Sequence, residues 1–330
     1  MFSLLLSGFR RQADLSHSQL QAAWRVAAHR RDVLLLHNPH SGPRDRSRLV
    51  TATLRLLRNA GYRVHEMEDL TGFLQATTDQ SLLEQLRCVI AAGGDGTSTL
   101  VATYLPPHVP LAPLPLGNEN VMAHWLGYRR CAELLVRTVR RGAALTLDAG
   151  EVNGRLFLFV LTCGFDAQVV QQTHQRRRGH AGHWAYVGPL LRTLIRYPFP
   201  EIRVTPLTGP NLDAGGPAWT APWLFVFNMP CYAMGIPICR SADPSDGLLD
   251  ACTFPPRSVT GSLYHLALVL LNRHQRHLRV RHVRVSGLRI ESDCPLYYQF
   301  DGDPGGQLPI VVRAVPQRWS VLLPAIGRTD

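Results

Sequence analysis

The stretch Val89-Ile90-Ala91-Ala92-Gly93-Gly94-Asp95-Gly96-Thr97-Ser98-Thr99 decides how the rest of the chain is read. An apolar strand, Cys88 to Ala92, empties into three glycines around one acid and then straight into a helical segment, Ser98 to Tyr104. Backbone N–H groups at such a strand-to-helix turn attract anions, and glycines let a polyphosphate approach where a Cβ would block it. The G-x-G-x-x-G spacing of a dinucleotide fingerprint is absent. An acid in the turn also repels phosphate unless it holds a metal ion, a ribose or a hydroxyl. The competing interpretation is a tight left-handed turn built from Gly and Asp.

Two further loops have the same setting. Asp32 to Leu36 (DVLLL) is a continuous apolar run that ends in Asn38-Pro39-His40-Ser41-Gly42, and Leu111 to Leu116 ends in Gly117-Asn118-Glu119-Asn120. Buried strands alternating with helices over Arg46 to Asn59, Asp79 to Arg87 and Ser98 to Tyr104 predict a parallel sheet with helices on both faces. All three loops then fall at its carboxyl edge, where open α/β sheets bind ligands. From about Thr146 strands dominate: Arg155 to Thr162, Ile202 to Thr205, Trp223 to Asn228, Leu249 to Thr253, Val283 to Glu291, Leu296 to Phe300 and Ile310 to Val315. The alternation in HVRVSGLRI marks antiparallel sheet with one solvated face. The predicted fold is α/β plus β. An N-terminal helical extension (1–30) precedes an α/β nucleotide-binding lobe with a parallel sheet (31–147), then a β-rich antiparallel lobe (148–315), and 316–330 returns to the first lobe.

Composition removes several chemistries. The 330 residues carry a formal charge of +11, and every one of the 35 basic residues is arginine. Without lysine there is no Walker-type phosphate loop, no protein-kinase strand lysine and no Schiff-base amine. The seven cysteines are scattered singly with no C-x-x-C pair, which predicts reduced core thiols and argues against a disulfide framework or a structural zinc site. The pairs His180/His183 and His274/His277 have helical spacing but lie among arginines, so a solvated basic face is favoured over a metal site. No apolar run approaches the roughly 20 residues of a membrane span. MFSLLLSGF at the start has neither a positive n-region nor a cleavage site, which predicts a cytoplasmic location, peripheral at the inner face of the plasma membrane. No RNA-binding aromatic signature or helix-turn-helix pattern accompanies the basic charge, so nucleic acid is not an expected partner. For an oligomer, an isologous homodimer is the expectation.

With these residues in view, the chain resembles the diacylglycerol kinase catalytic-domain family, which also contains sphingosine kinases and bacterial soluble lipid kinases. NPHSG is similar to its N-P-x-S-G loop and AAGGDGT to its G-G-D-G-T signature. GFDAQVV (164–170), Asn228 followed by Tyr232 and Gly235, ADPSDGLLD (242–250) and Asp301-Gly302-Asp303 follow in the family's order. The G-G-D-G core is shared with NAD kinases and phosphofructokinases; the later blocks are not. The resemblance implies two lobes with the active site in the cleft between them, and an ATP- and magnesium (Mg2+)-dependent transfer of the γ-phosphoryl group to the hydroxyl of diacylglycerol or a related long-chain alcohol. It implies that Asn38, Ser41 and Gly42 contact ATP, that Gly93, Gly94, Asp95, Gly96 and Thr97 line its phosphates or ribose, and that Gly117 and Asn120 close the pocket. Asp301 would be the general base, with Asp303 beside the catalytic magnesium. A second, structural magnesium would use Asp246 and Leu248; a plain Asp-Gly turn is the alternative there.

The departures fall in the third loop. Where the family writes G-T-x-N-D-x-A-R, this chain has Gly117-Asn118-Glu119-Asn120-Val121-Met122-Ala123-His124. The missing acid and arginine reduce or rebuild a charge network that reaches Asp148, with Glu119 as a substitute. Asp303 stands for the family's Glu, one methylene shorter. On the acceptor side, Thr173 to Arg196 joins a basic cluster, Arg176 to Arg178, to Trp184, Tyr186 and several leucines. It reads either as a segment lying on an anionic membrane surface, from which the lipid substrate is taken, or as a core-packing helix with solvated arginines. Two rival functions stay open: an NAD kinase-like enzyme, and a nucleotide- or lipid-binding pseudokinase.

Overall fold

The computed structural model describes residues 19, 21–42, 46–176, 197–209, 213–230, 232, 236 and 238–325. The chain forms two compact units, Met1–Leu147 with Gln317–Asp330, and Asp148–Pro316. In the first, β1 (Trp24–Arg25), β2 (Asp32–His37), α1 (Ser47–Asn59), β3 (Arg63–Met67), α2 (Leu70–Thr78), α3 (Gln80–Gln85), β4 (Leu86–Gly93), α4 (Asp95–Tyr104), β5 (Leu111–Pro115), α5 (Val121–Leu126) and α6 (Ala132–Arg141) lead to β6 (Ala143–Val152). The strands β5, β4, β2 and β3 pair in that order, all parallel. Every residue of β4 and β5 is buried, and so is β2 apart from His37; this is why they read as unbroken apolar runs. α1 packs inward through Val50, Thr53, Leu54 and Leu57 at helical spacing. The end of α6 is closed from within. The buried Arg87 guanidinium donates to the carbonyls of Val139 and Arg140 (2.9 and 2.8 Å) and to that of Val26 (2.8 Å), placing a cation where a helix C-terminus accumulates negative charge.

Of the polar helix expected before Arg31, the described residues show Gln19 and Gln21 as helical, and a strand follows them. Trp24 and Arg25 form a strand paired antiparallel with β6, and the Trp24 indole donates to Thr146 Oγ1 at 3.1 Å. The apolar face of Trp24 and Val26 is used in sheet pairing, which a two-residue strand too short for periodicity does not reveal. The chain returns at its end, where Val321 pairs parallel with Leu111 of β5.

The second unit contains β7 (Arg155–Phe157), β8 (Val160–Cys163), α7 (Phe165–Arg176), β9 (Ile202–Thr208), β10 (Asp213–Ala214), β11 (Trp219–Ala221), β12 (Trp223–Phe227), β13 (Leu249–Phe254), α8 (Val259–Leu270), β14 (Arg281–Val285), β15 (Gly287–Glu291), β16 (Tyr297–Phe300), β17 (Asp303–Gln307) and β18 (Ile310–Leu322). β14-β13-β12-β8-β16-β17 form one antiparallel sheet, and β9, β15 and the first residues of β18 pair antiparallel in a second layer. Leu161, Leu224, Val226 and Ala251 of the first layer share a core with Val204, Leu288, Ile290 and Val312 of the second, a sandwich in which alternate side chains of each layer point inward. HVRVSGLRI, read as one strand, is two. The chain crosses from one layer to the other at Ser286, and alternation alone is blind to such a corner. The predicted strand Arg155 to Thr162 also breaks, at Leu158 and Phe159.

Candidate active site

β2 and β4 are neighbours, yet their connections leave in opposite directions, through α1 to β3 on one side and through α4 to β5 on the other. The crevice that this divergence opens at the carboxyl ends of the strands is where open sheets bind ligands. A pocket of about 280 Å³ lies there, walled by His37, Asn38 and His40 after β2, Glu68 after β3, and Gly96 and Thr97 of α4.

The three predicted loops interlock with one another, the first two of them walling the pocket. Asn38 Nδ2 donates to Thr97 Oγ1 (3.3 Å), and the His40 N–H closes back on Asn38 Oδ1 (3.1 Å). Gly42 has φ +84°, and a Cβ there would meet the Leu116 carbonyl oxygen at 2.3 Å. Gly117 lies so close to Gly94 that its Cβ would come within 2.6 Å of the Gly94 Cα. The guanidinium of Arg46 donates to the Leu116 carbonyl, and that of Arg130 to Pro115 O and Gly117 O, both at 3.0 Å. Asn120, at φ 50°, donates from Nδ2 to Gly117 O at 2.7 Å, while its Oδ1 is buried without a partner. Ser41 is half-buried, its N–H bonded to Asn38 O at 3.1 Å.

Of the signature glycines, Gly96 is exposed with open space at its Cβ position, whereas Gly93 and Gly117 are buried in loop-to-loop contacts. The side chain of Asp95 reaches across to the third loop. Its carboxylate accepts the N–H groups of Val121 (2.9 Å) and Met122 (3.2 Å), at the start of α5. Burial pushes its carboxyl above the usual range, opposed by those two hydrogen bonds. The acid that seemed out of place in an anion-binding turn is a tie between the first signature and the third loop. It uses backbone donors, so the replacement of the family's acid by Val121 leaves it intact.

In the second unit Asp301 and Gly302 are the two central residues of the β16–β17 hairpin, with φ 51° and 87°. Asp-Gly with both φ positive is the turn chemistry of a two-residue hairpin. The turn points the Asp301 carboxylate at the break between β7 and β8, where it accepts the N–H groups of Leu158 (2.7 Å), Phe159 (2.9 Å) and Val160 (3.1 Å). These three donors fix the carboxylate at the hairpin tip, which gives Asp301 a positioning role. Asp303, two residues on, is exposed.

Sequence reasoning quoted Asp166 within GFDA without giving it a task, and missed Gln299. Asp166 accepts from Thr162 Oγ1 (2.6 Å), Tyr232 Oη (2.6 Å) and Gln299 Nε2 (3.0 Å), and Gln299 Oε1 accepts the Gly302 N–H at 2.9 Å. The Tyr232 hydroxyl, pushed well above its usual pKa by burial and then by Asp166, remains a donor. The hairpin tip is thus held from both ends. The spacing of Gln299 from Asp301 carries no signal of its own.

The expected structural magnesium does not fit its residues. Asp246 Oδ1 accepts the Leu248 N–H at 2.9 Å, and Asp246 Oδ2 is ion-paired with Arg284. Neither oxygen is presented to an ion that requires oxygen ligands in near-octahedral array, and a guanidinium holds the place a cation would take. Asp246 is the plain Asp-Gly turn. At Asp303, by contrast, an exposed carboxylate fits an ion held mainly by nucleotide phosphates. The basic, apolar segment over 177–196 lies outside the described residues, as does Gly235.

This architecture, a parallel sheet with glycine loops meeting at its switch point followed by an antiparallel sandwich with a hairpin acid, is shared with phosphotransferases that use an alcohol acceptor, as the likenesses to known proteins show. Residues 32–152 match the diacylglycerol kinase catalytic domain model, and residues 159–323 match the model of the YegS C-terminal NAD kinase beta sandwich-like domain. A probable lipid kinase YegS-like of Pseudomonas aeruginosa is 30% identical over 282 residues, 82% of this chain and 87% of that protein. A diacylglycerol kinase of Bacillus subtilis is 22% identical over 83% of this chain and 90% of its own. The crystal structure of a diacylglycerol kinase from Bacillus anthracis superposes with a TM-score of 0.63 at 19% identity, covering 89% of this chain and 97% of that one. The chain belongs to the diacylglycerol kinase catalytic-domain family, among the YegS-like lipid kinases.

Proposed function

We propose that this protein transfers the γ-phosphoryl group of ATP to the hydroxyl of diacylglycerol or a related long-chain lipid alcohol. The observation that carries the nucleotide half is the meeting of three glycine-bearing loops at the switch point, beside a pocket whose mouth includes the exposed Gly96. The lipid half is supported by the names of the relatives. Phosphoryl transfer asks little covalent chemistry of a protein, so positioning, a carboxylate and a cation-neutralised phosphate suffice. The first unit holds the nucleotide through the loops at Asn38–Gly42, Gly93–Thr97 and Gly117–Asn120. Magnesium, when bound with the nucleotide, would neutralise charge on the phosphates, and Asp303 is the carboxylate of this chain that would hold it. The proton that the lipid hydroxyl loses passes to solvent as the phosphate ester forms. Asp301 is a positioning residue, fixing the hairpin tip from which Asp303 projects.

Peripheral binding to an anionic membrane has its own support. Leu263, Leu266, Leu270 and Leu271 are 42 to 64% exposed along and just beyond α8, and Leu278 is fully exposed. Next to Leu278, Arg257, Arg279 and Arg281 line a pocket of about 270 Å³. Apolar side chains rimmed by arginine suit a surface of anionic lipid headgroups over acyl chains. Among the described residues no helix is long and apolar enough to cross a membrane.

The test is a transfer assay with γ-labelled ATP, magnesium and mixed micelles of diacylglycerol, sphingoid bases or polyprenols, with NAD as a parallel acceptor. Label in a lipid is the expected result. Label in NAD alone overturns it in favour of an NAD kinase, and ATP binding without label in any acceptor makes the protein a pseudokinase.

A further inference from the structure

We infer that Cys239, Cys252, His282 and Asp250 form a binding site for one zinc-type divalent transition-metal ion in the second unit. The site rests on sheet register. β13 and β14 pair with Cys252 directly opposite His282, and Asp250, two residues before Cys252, faces the same side of the sheet. Cys239 reaches the group from the chain preceding the Asp246–Asp250 turn.

The Sγ atoms of Cys239 and Cys252 and a ring nitrogen of His282 all lie within 4.8 Å of one another. Cys239 Sγ is 3.7 Å from His282 Nε2, and Asp250 Oδ1 is 2.6 Å from the same nitrogen. Ligands around a tetrahedral zinc, with bonds of about 2.0 to 2.3 Å, lie roughly 3.3 to 3.8 Å apart; Asp250 lies outside the group of three and completes the set by moving toward the thiols on binding. Ser241 Oγ is 3.6 Å from Cys239 Sγ.

The arrangement is not that of a catalytic triad. There the acid holds one ring nitrogen and the nucleophile meets the other; here Cys239 and Asp250 both converge on Nε2, as ligands converge on an ion. A second observation points the same way. Asp250 is 1% exposed, and its Oδ2 is buried with no hydrogen-bond partner. An unpartnered buried carboxylate oxygen is costly, and a bound cation supplies what it lacks.

Two thiolates and an imidazole are the donors that select zinc over magnesium. Binding releases to solvent the thiol protons and the proton that His282 Nε2 shares with Asp250, leaving two thiolates and a neutral imidazole. A set of four protein ligands closes the coordination sphere, so the ion serves structure: it pins the chain before the Asp246–Asp250 turn onto β13 and β14. None of this depends on the phosphotransfer reading.

The full-length protein, purified from zinc-replete medium under reducing conditions without chelator, is expected to carry about one equivalent of zinc by mass spectrometry. After zinc removal, titration with cobalt(II) should produce a thiolate-to-cobalt charge-transfer band and visible ligand-field bands of tetrahedral intensity. Cys239→Ser and Cys252→Ser should each weaken the charge-transfer band, and Cys294→Ser, an exposed thiol elsewhere, should not. His282→Gln, which retains an amide donor for the buried Asp250, should weaken cobalt affinity by roughly tenfold or more. Absence of both zinc and the cobalt bands, a Cys239–Cys252 disulfide in the reduced preparation, or unchanged affinity in His282→Gln would overturn the site. None of these readouts is lipid kinase activity.

Discussion

Asp301 and Asp303 are two residues apart in one hairpin, yet their replacement should fail in different ways. Asp301→Ala removes the acceptor of three backbone N–H groups at 2.7, 2.9 and 3.1 Å. Hydrogen bonds to a charged acceptor contribute about 1.5 to 3 kcal/mol each, and partial solvent access at this half-buried site lowers that to about 1 to 2 kcal/mol, so the loss is about 3 to 6 kcal/mol. That is a large share of the roughly 5 to 15 kcal/mol by which a domain is stable. Asp301→Asn keeps one acceptor oxygen and turns an amide N–H toward a backbone N–H, so it should lose about half as much. Asp303→Asn touches an exposed side chain, and its cost should stay within about 0.5 kcal/mol. Urea unfolding followed by circular dichroism, with phosphotransfer measured on the same samples, separates the cases. The expectation is a lowered midpoint for both Asp301 variants, and a wild-type midpoint with abolished turnover for Asp303→Asn. If Asp301→Asn unfolds at the wild-type midpoint but is inactive, Asp301 is the base and the positioning role is wrong.

Three further outcomes follow from the same geometry. Gly42→Ala and Gly117→Ala each force a Cβ to within 2.3 to 2.6 Å of backbone atoms of a neighbouring loop; both should weaken ATP binding at least tenfold in equilibrium titration, while Gly96→Ala, with open space, should bind ATP within about threefold of wild type. Asp32 is held below the usual carboxylate range first by its hydrogen bond from Arg63 and also by His65, with Arg63 Nε and His65 Nε2 both at 2.9 Å from Oδ1. A depressed folded-state pKa contributes stability that is present above about pH 4 and lost as pH falls through the folded value. Thermal midpoints should therefore drop below about pH 4, and Asp32→Asn should be less stable at pH 7 with a flatter acid limb. Replacing Leu270, Leu271 and Leu278 together by Ser should reduce flotation with phosphatidylglycerol vesicles without shifting the melting temperature; unchanged flotation would remove this face from the membrane contact.

The nucleotide-binding sheet was legible in the linear chain because its strands are buried on both faces and its functional turns follow them immediately. DVLLL, CVIAA and LAPLPL each end in glycine or asparagine, and a parallel sheet must bring such ends to one edge. Ordered blocks far along the chain were likewise enough to indicate the family and its two-part architecture. What each acid does was not legible, because that depends on which N–H or cation lies opposite it in three dimensions. Nothing near Asp95 in the chain announces its hydrogen bonds to α5, and Asp246 reads as a magnesium ligand until Arg284 occupies its second oxygen. The three donors that the β7–β8 break presents to Asp301 are likewise invisible in the chain. The cysteines show the same division. Their spacing excludes a zinc motif of contiguous type, yet antiparallel register sets Cys252 beside His282 and brings Cys239 to both. Local patterns record burial and turn chemistry, which are properties of neighbouring residues, whereas charge partners and ligand sets are created only when strands distant in sequence come into register.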